Sequence, residues 1–272
     1  MRFGLGSYSY NHGFRLAGQP GGPTKWDVFD VLDRAAAHGV DGVYIDAGHV
    51  GSLEAGHLAK VRAAASGKAL VLELGYMGTD LATLQPWLEA AAALGSPVLR
   101  TFLSRDRYRP PVEQQIEAAV VNLRETVGCA ADLGVRMAIE NHMDLTSVEL
   151  LQIAAEVASP WLGFCLDTGN TFAVLEEPLV AARNLAPLVF MVHLKDARIT
   201  LEADRAIMHG VPLGEGIVPL REIVDVLRAK APDCGVWLES LVVPRETDAE
   251  TWAAAQAAVD HGVRYAREVL GL

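Results

Sequence analysis

Short apolar runs of strand length alternate with longer amphipathic stretches from one end of the chain to the other. The runs predict strands at residues 3–9, 42–46, 69–74, 98–103, 137–141, 162–167, 189–194 and 235–241. Most are nearly continuous rather than alternating in polarity, as parallel strands covered on both faces require. Helical spacing of apolar positions predicts helices at 26–38, 81–94, 112–133, 147–157, 220–229 and 249–269. Gly39, Gly95 and Gly134 stand where three of these helices would stop, just before the next strand. Thr146, followed by Glu149, offers a hydroxyl N-cap with an acid in the first turn.

Eight consecutive strand-then-helix units close most simply into a (β/α)8 TIM barrel, an α/β fold that commonly uses about 250 residues. The expectation is therefore one barrel domain over residues 1–272. An open doubly wound sheet is the alternative. It would expose edges and need a winding reversal, and Gly4-Leu5-Gly6 lies inside the first strand rather than opening a dinucleotide-binding turn after it.

The 34 acidic residues exceed the 23 basic ones, leaving a formal charge of −11. That average field repels polyanions, so neither nucleic acid nor an anionic membrane is an expected partner. The local group Arg100, Arg105, Arg107 and Arg109 is diluted by Asp106 and Glu113 and is read as a solvated loop. Cys129, Cys165 and Cys234 are odd in number, widely spaced and without a C-x-x-C pair, as buried free thiols of a reducing compartment would be. The N-terminus enters a strand with no secretory pattern, and no apolar run approaches the ~18 residues of a membrane span. The expected location is cytoplasmic.

In a barrel of this kind, chemistry belongs at the C-terminal ends of the strands. Four neighbouring strands end there in side chains able to bind metal, namely Glu140, Asp167, His193 and Glu239. A single carboxylate at a strand end is ordinarily a hydrogen-bonded structural acid. Three converging on a partly dehydrated mouth are costly unless a cation neutralises them. A divalent ion bound by these three oxygen donors and one imidazole removes that cost, and the mixed set suits Mn2+, Mg2+ or Co2+ better than structural zinc.

The segments Ile139-Glu140-Asn141-His142, Leu166-Asp167-Thr168-Gly169-Asn170, Val192-His193-Leu194-Lys195-Asp196, Leu213–Pro219 and Trp237-Leu238-Glu239-Ser240 occur in that order. As an ordered set this chain resembles the xylose isomerase-like TIM barrel superfamily, the sugar phosphate isomerase/epimerase group. The resemblance implies one divalent ion, usually Mn2+, on Glu140, Asp167, His193 and Glu239. It also implies that Glu140 and Glu239 transfer protons on opposite faces of a sugar or polyol substrate, giving isomerisation or epimerisation. A metal-dependent lyase of the same superfamily, of the C-glycoside deglycosidase or keto-sugar/keto-inositol dehydratase type, is the rival, and there His142 would serve as base or acid. An endonuclease IV-type nuclease fits less well. It requires D-x-x-H where the chain has Asp167-Thr168-Gly169-Asn170, and a D-x-H that the chain lacks.

Further site candidates are His142 beside the first ligand and Lys195 after His193, the latter orienting substrate or imidazole. Residues 197–218 are expected to form a glycine-rich, substrate-covering loop carrying Arg198, Arg205 and His209. Tyr8 and His12 at the end of the first strand suit sugar stacking and hydrogen bonding, with Asp46 and His49 of similar quality. Exposed helix faces leave a homo-oligomer open.

Overall fold

A computed structural model describes residues 1–272. Eight parallel strands close on themselves: β1 (Arg2–Gly6), β2 (Gly42–Asp46), β3 (Val71–Gly75), β4 (Val98–Thr101), β5 (Arg136–Glu140), β6 (Leu162–Asp167), β7 (Val189–Leu194) and β10 (Gly235–Leu238), with β10 hydrogen-bonded to both β7 and β1. Two further strands, β8 (Asp196–Glu202) and β9 (Arg205–Val211), pair antiparallel as a separate hairpin between β7 and the last barrel strand. The helices are α1 (Asn11–Leu16), α2 (Val28–His38), α3 (Ala55–Ser66), α4 (Leu81–Leu94), α5 (Val112–Asp132), α6 (Ser147–Val157), α7 (Pro178–Leu185), α8 (Leu220–Lys230) and α9 (Asp248–Tyr265). None of them is long and apolar enough to cross a membrane.

Local signals behave as their chemistry dictates. Gly39 and Gly95 end α2 and α4 with φ of 61° and 75°, a backbone region open to glycine at little cost. Thr146 caps α6 through a reciprocal bond pair with Glu149. The predicted strand starts are close, but four ends fall short. The first strand stops at Gly6, where Ser7–Tyr10 turn into a 3-10 segment, and the last stops at Leu238 rather than at residue 241. The glycine-rich loop expected at 197–218 is instead largely the β8–β9 hairpin, so Arg198, Arg205 and His209 sit on an ordered ribbon.

The core divides in two. Most buried apolar side chains lie between strands and helices in one continuous cluster. Inside the barrel a smaller set, Tyr44, Val98, Ala138, Cys165, Met191 and Trp237, forms an apolar floor. Strand alternation makes the residue two positions further along each of these strands point inward as well. Those residues are Asp46, Arg100, Glu140, Asp167, His193 and Glu239. The fold thus sets a ring of ionisable groups directly above an apolar plug, at the C-terminal mouth.

Candidate active site

The ring converges on the Nδ1 atom of His193. That nitrogen lies 3.5 Å from Glu239 Oε1, 3.6 Å from Glu140 Oε1 and 3.9 Å from Asp167 Oδ2. All four residues are buried. His193 Nδ1 has no hydrogen-bond partner, although burial makes an unmatched polar atom costly. Four donors facing one point from four neighbouring strand ends fit a divalent cation, and three of them, Asp167, His193 and Glu239, offer atoms within 4.8 Å of one another.

Residues 167–170 each have a physical task. The second oxygen of Asp167, Oδ1, accepts the backbone N–H groups of Gly169 (2.9 Å) and Asn170 (3.0 Å), which leaves Oδ2 free to face the ring. Asn141 grips the Asp167 backbone at both its N–H and its carbonyl. Thr168 clamps the end of β7, donating to the Lys195 carbonyl at 2.6 Å and accepting from the Lys195 N–H at 2.8 Å. Asn170 donates to Glu140 Oε1 at 3.1 Å. Opposite, a Cβ on Gly6 would stand 2.8 Å from Glu239 Cγ, so glycine is what leaves room for that glutamate.

Two cations complete the ring. Lys195 Nζ lies 2.7 Å from Asp167 Oδ2 and 2.9 Å from Glu239 Oε2. Arg100 reaches Glu140 Oε2 at 3.1 Å and Asp46 Oδ2 at 3.2 Å, and donates to the Tyr76 carbonyl at 3.3 Å. Its guanidinium lies 5.4 Å from the centre of the Tyr44 ring and 5.1 Å from that of Phe102. The reading of Arg100 as a solvated loop charge is therefore corrected: it is 5% exposed and belongs to the site. Strand parity was the signal, since Arg100 stands two residues beyond the inward-facing Val98. Arg107 of the same group pairs with Glu149 on α6 instead.

Electrostatics follow from these neighbours. Burial opposes ionisation of Glu140, but Arg100 and His193 outweigh it and hold the carboxyl well below its ordinary range. Burial likewise opposes ionisation of Glu239, and His193 and Lys195 override it. Asp167 is pushed up by burial despite Lys195. His142 is pulled down by burial, which keeps it neutral, and it stacks on Phe102 with ring centres 3.9 Å apart and planes 14° from parallel.

The remaining candidates divide. Tyr8, His12 and His209, remote in sequence, line one cavity of about 370 Å³ with Met208 and Ser240, the residue after Glu239. Arg198 donates to the Glu215 carbonyl and borders a separate cavity of about 460 Å³ between the hairpin base and α9. Arg205 is exposed beside the hairpin turn, away from the ring. His49 is buried and engaged by Ser7 at 2.9 Å, and it stacks on Phe14, which gives it a structural role.

The family description "xylose isomerase-like TIM barrel" matches residues 32–269. The chain belongs to that family. It is similar to the 3-oxo-isoapionate decarboxylase of Pectobacterium atrosepticum, with 24% identity over 269 residues that cover 97% of this chain and 94% of the relative. Among solved structures it resembles a D-psicose 3-epimerase determined in the presence of D-fructose, with a TM-score of 0.74 and 20% identity over the full length of both chains. It also resembles the IolI protein with a bound zinc atom, with a TM-score of 0.73 and 14% identity over 100% of this chain and 98% of that one.

Proposed function

We propose that this chain is a metal-dependent sugar isomerase or epimerase that removes a proton from the carbon beside a carbonyl. The observation that carries the reading is the placement of Glu140 and Glu239. They lie on either side of Asp167 and His193 around the rim, each with one oxygen near His193 Nδ1 and the other against a cation. A divalent ion held by Glu140, Asp167, His193 and Glu239, Mn2+ by preference for this donor set, would supply Lewis-acid polarisation of the carbonyl and its neighbouring hydroxyl.

The chain's own residues do the rest. One carboxylate, ionised, accepts the carbon-bound proton, and its partner across the rim, entering the cycle protonated, delivers its proton to the opposite face; alternatively the first carboxylate returns the proton it took to the adjacent carbon. Arg100 and Asn170 fix Glu140, and Lys195 fixes Glu239, so both carboxyl groups are held in place at the mouth. In this reading Tyr8, His12 and His209, which line one cavity, hold the far end of a polyol, and His142, stacked on Phe102, exchanges a proton with a substrate hydroxyl.

A second reading, a carbon–carbon lyase, is favoured by the decarboxylase relative that spans nearly the whole chain. Loss of CO2 from a 3-oxo acid leaves the bond's electron pair on the same carbon that proton removal would, and requires a proton donor but no base. Incubation with a ketose panel in D2O separates the two. Deuterium entering beside the carbonyl, abolished in Glu239→Gln with ion binding retained, supports the isomerase. CO2 release from a 3-oxo sugar acid without exchange in any ketose supports the lyase. Full activity of Glu239→Gln with the ion bound removes the proton-transfer role.

A further inference from the structure

Two fixed cations share the mouth with its acids. Asp46, Glu140, Asp167 and Glu239 are opposed by Arg100 and Lys195, which with a neutral His193 leaves two negative charges, the charge one divalent ion brings. Arg100 addresses Asp46 and Glu140, while Lys195 addresses Asp167 and Glu239, two of the four ion-binding candidates. The contact with Asp167 falls on Oδ2, the single oxygen that the Gly169 and Asn170 amides leave free.

Lys195 is held there by design of the backbone. Both its N–H and its carbonyl are bound to the Thr168 hydroxyl, and its side chain is 13% exposed. The ammonium lies 2.7 Å from Asp167 Oδ2, the oxygen that also lies 3.9 Å from His193 Nδ1.

We propose that Lys195 is a built-in competitor of the metal ion, an ammonium that neutralises Asp167 and Glu239 and thereby sets how weakly, and how exchangeably, the site holds a divalent cation. The proposal rests on the ion-binding reading of the four side chains. An ion entering the ring meets a like charge beside two of its ligands, whether Lys195 stays or swings toward the mouth, so deleting that charge tightens binding in either case.

The test is calorimetric titration of the chelator-treated full-length protein with MnCl2, comparing wild type, Lys195→Met and Lys195→Arg. The expected result is about tenfold or greater tightening in Lys195→Met and none in Lys195→Arg, which keeps the charge. In chelator, Lys195→Met should also unfold at a lower temperature than wild type and gain more on adding Mn2+. Lys195→Gln, uncharged but still a donor, gives the same tightening if the methionine variant fails to fold. Equal or weaker Mn2+ binding in the uncharged variants, with wild type binding normally, overturns the role of Lys195 alone. No binding by any of the proteins overturns the metal reading and this role together.

Discussion

Glu73 is a buried acid of the barrel that the chemistry does not use, and it makes stability depend on pH in a calculable way. It points into the lumen from β3, fully buried, accepts the indole N–H of Trp237 at 2.6 Å, and has Arg2 at 3.7 Å as its nearest cation. Its other oxygen has no hydrogen-bond partner. Burial is the main cause of a pKa raised from 4.5 to about 7, partly offset by the Trp237 bond and Arg2. A carboxyl whose folded pKa is raised binds its proton more tightly in the native state. Its contribution is thus fully present below the unfolded value and is lost as pH rises through the folded one. At 1.36 kcal/mol per pKa unit, the loss between those values is about 3 kcal/mol. Glu73→Gln keeps an acceptor for Trp237 and cannot ionise. In guanidinium unfolding measured from pH 4.5 to 8, the variant should match wild type at the acid end and exceed it by up to about 3 kcal/mol at pH 8. A stability difference that does not grow with pH, or a variant weaker at pH 8, refutes the reasoning.

Arg100→Met leaves Asp46 and Glu140 without their shared cation, and should cost about 3–5 kcal/mol in chemical denaturation. Gly6→Ala places a methyl against Glu239, so calorimetry should show weakened Mn2+ binding while the circular dichroism spectrum stays native. Thr168→Val removes the hydroxyl that ties β6 to both backbone groups of Lys195, and should lower stability by about 1–3 kcal/mol.

What the sequence makes legible here is what apolar pattern and strand parity report. The runs at 42–46, 162–167 and 189–194 coincide with strands to the residue, because their flanks are turn-forming and their interiors are buried on both faces. The overlong strands arise because polarity does not report hydrogen bonding: residues 7–9 turn into a 3-10 segment and residues 239–241 leave the ladder without a glycine or proline to mark the end. The hairpin is hidden for a different reason. Its turn, Ala203-Asp204, has no Asn-Gly or Asp-Gly signature, yet Ala203 adopts a φ of 54°. Glu140, Asp167, His193 and Glu239 stand out as polar interruptions of apolar strands. Arg100 does not, because its sequence neighbours Arg105, Arg107 and Arg109 imitate a solvated run, and only its spacing from Val98 places it inside. The gathering of Tyr8, His12 and His209 around one cavity depends on where the β8–β9 hairpin packs, which no local pattern encodes.

Binding of a divalent ion by the four converging side chains is the claim on which the functional reading rests. Titration of the chelator-treated protein with Mn2+ tests it most directly, with His193→Ala as the matched variant. The expected result is one ion per wild-type chain and a loss of about a hundredfold or more in affinity when the imidazole is removed. A wild-type chain that binds no ion, or a His193→Ala variant that binds it equally well, contradicts the account.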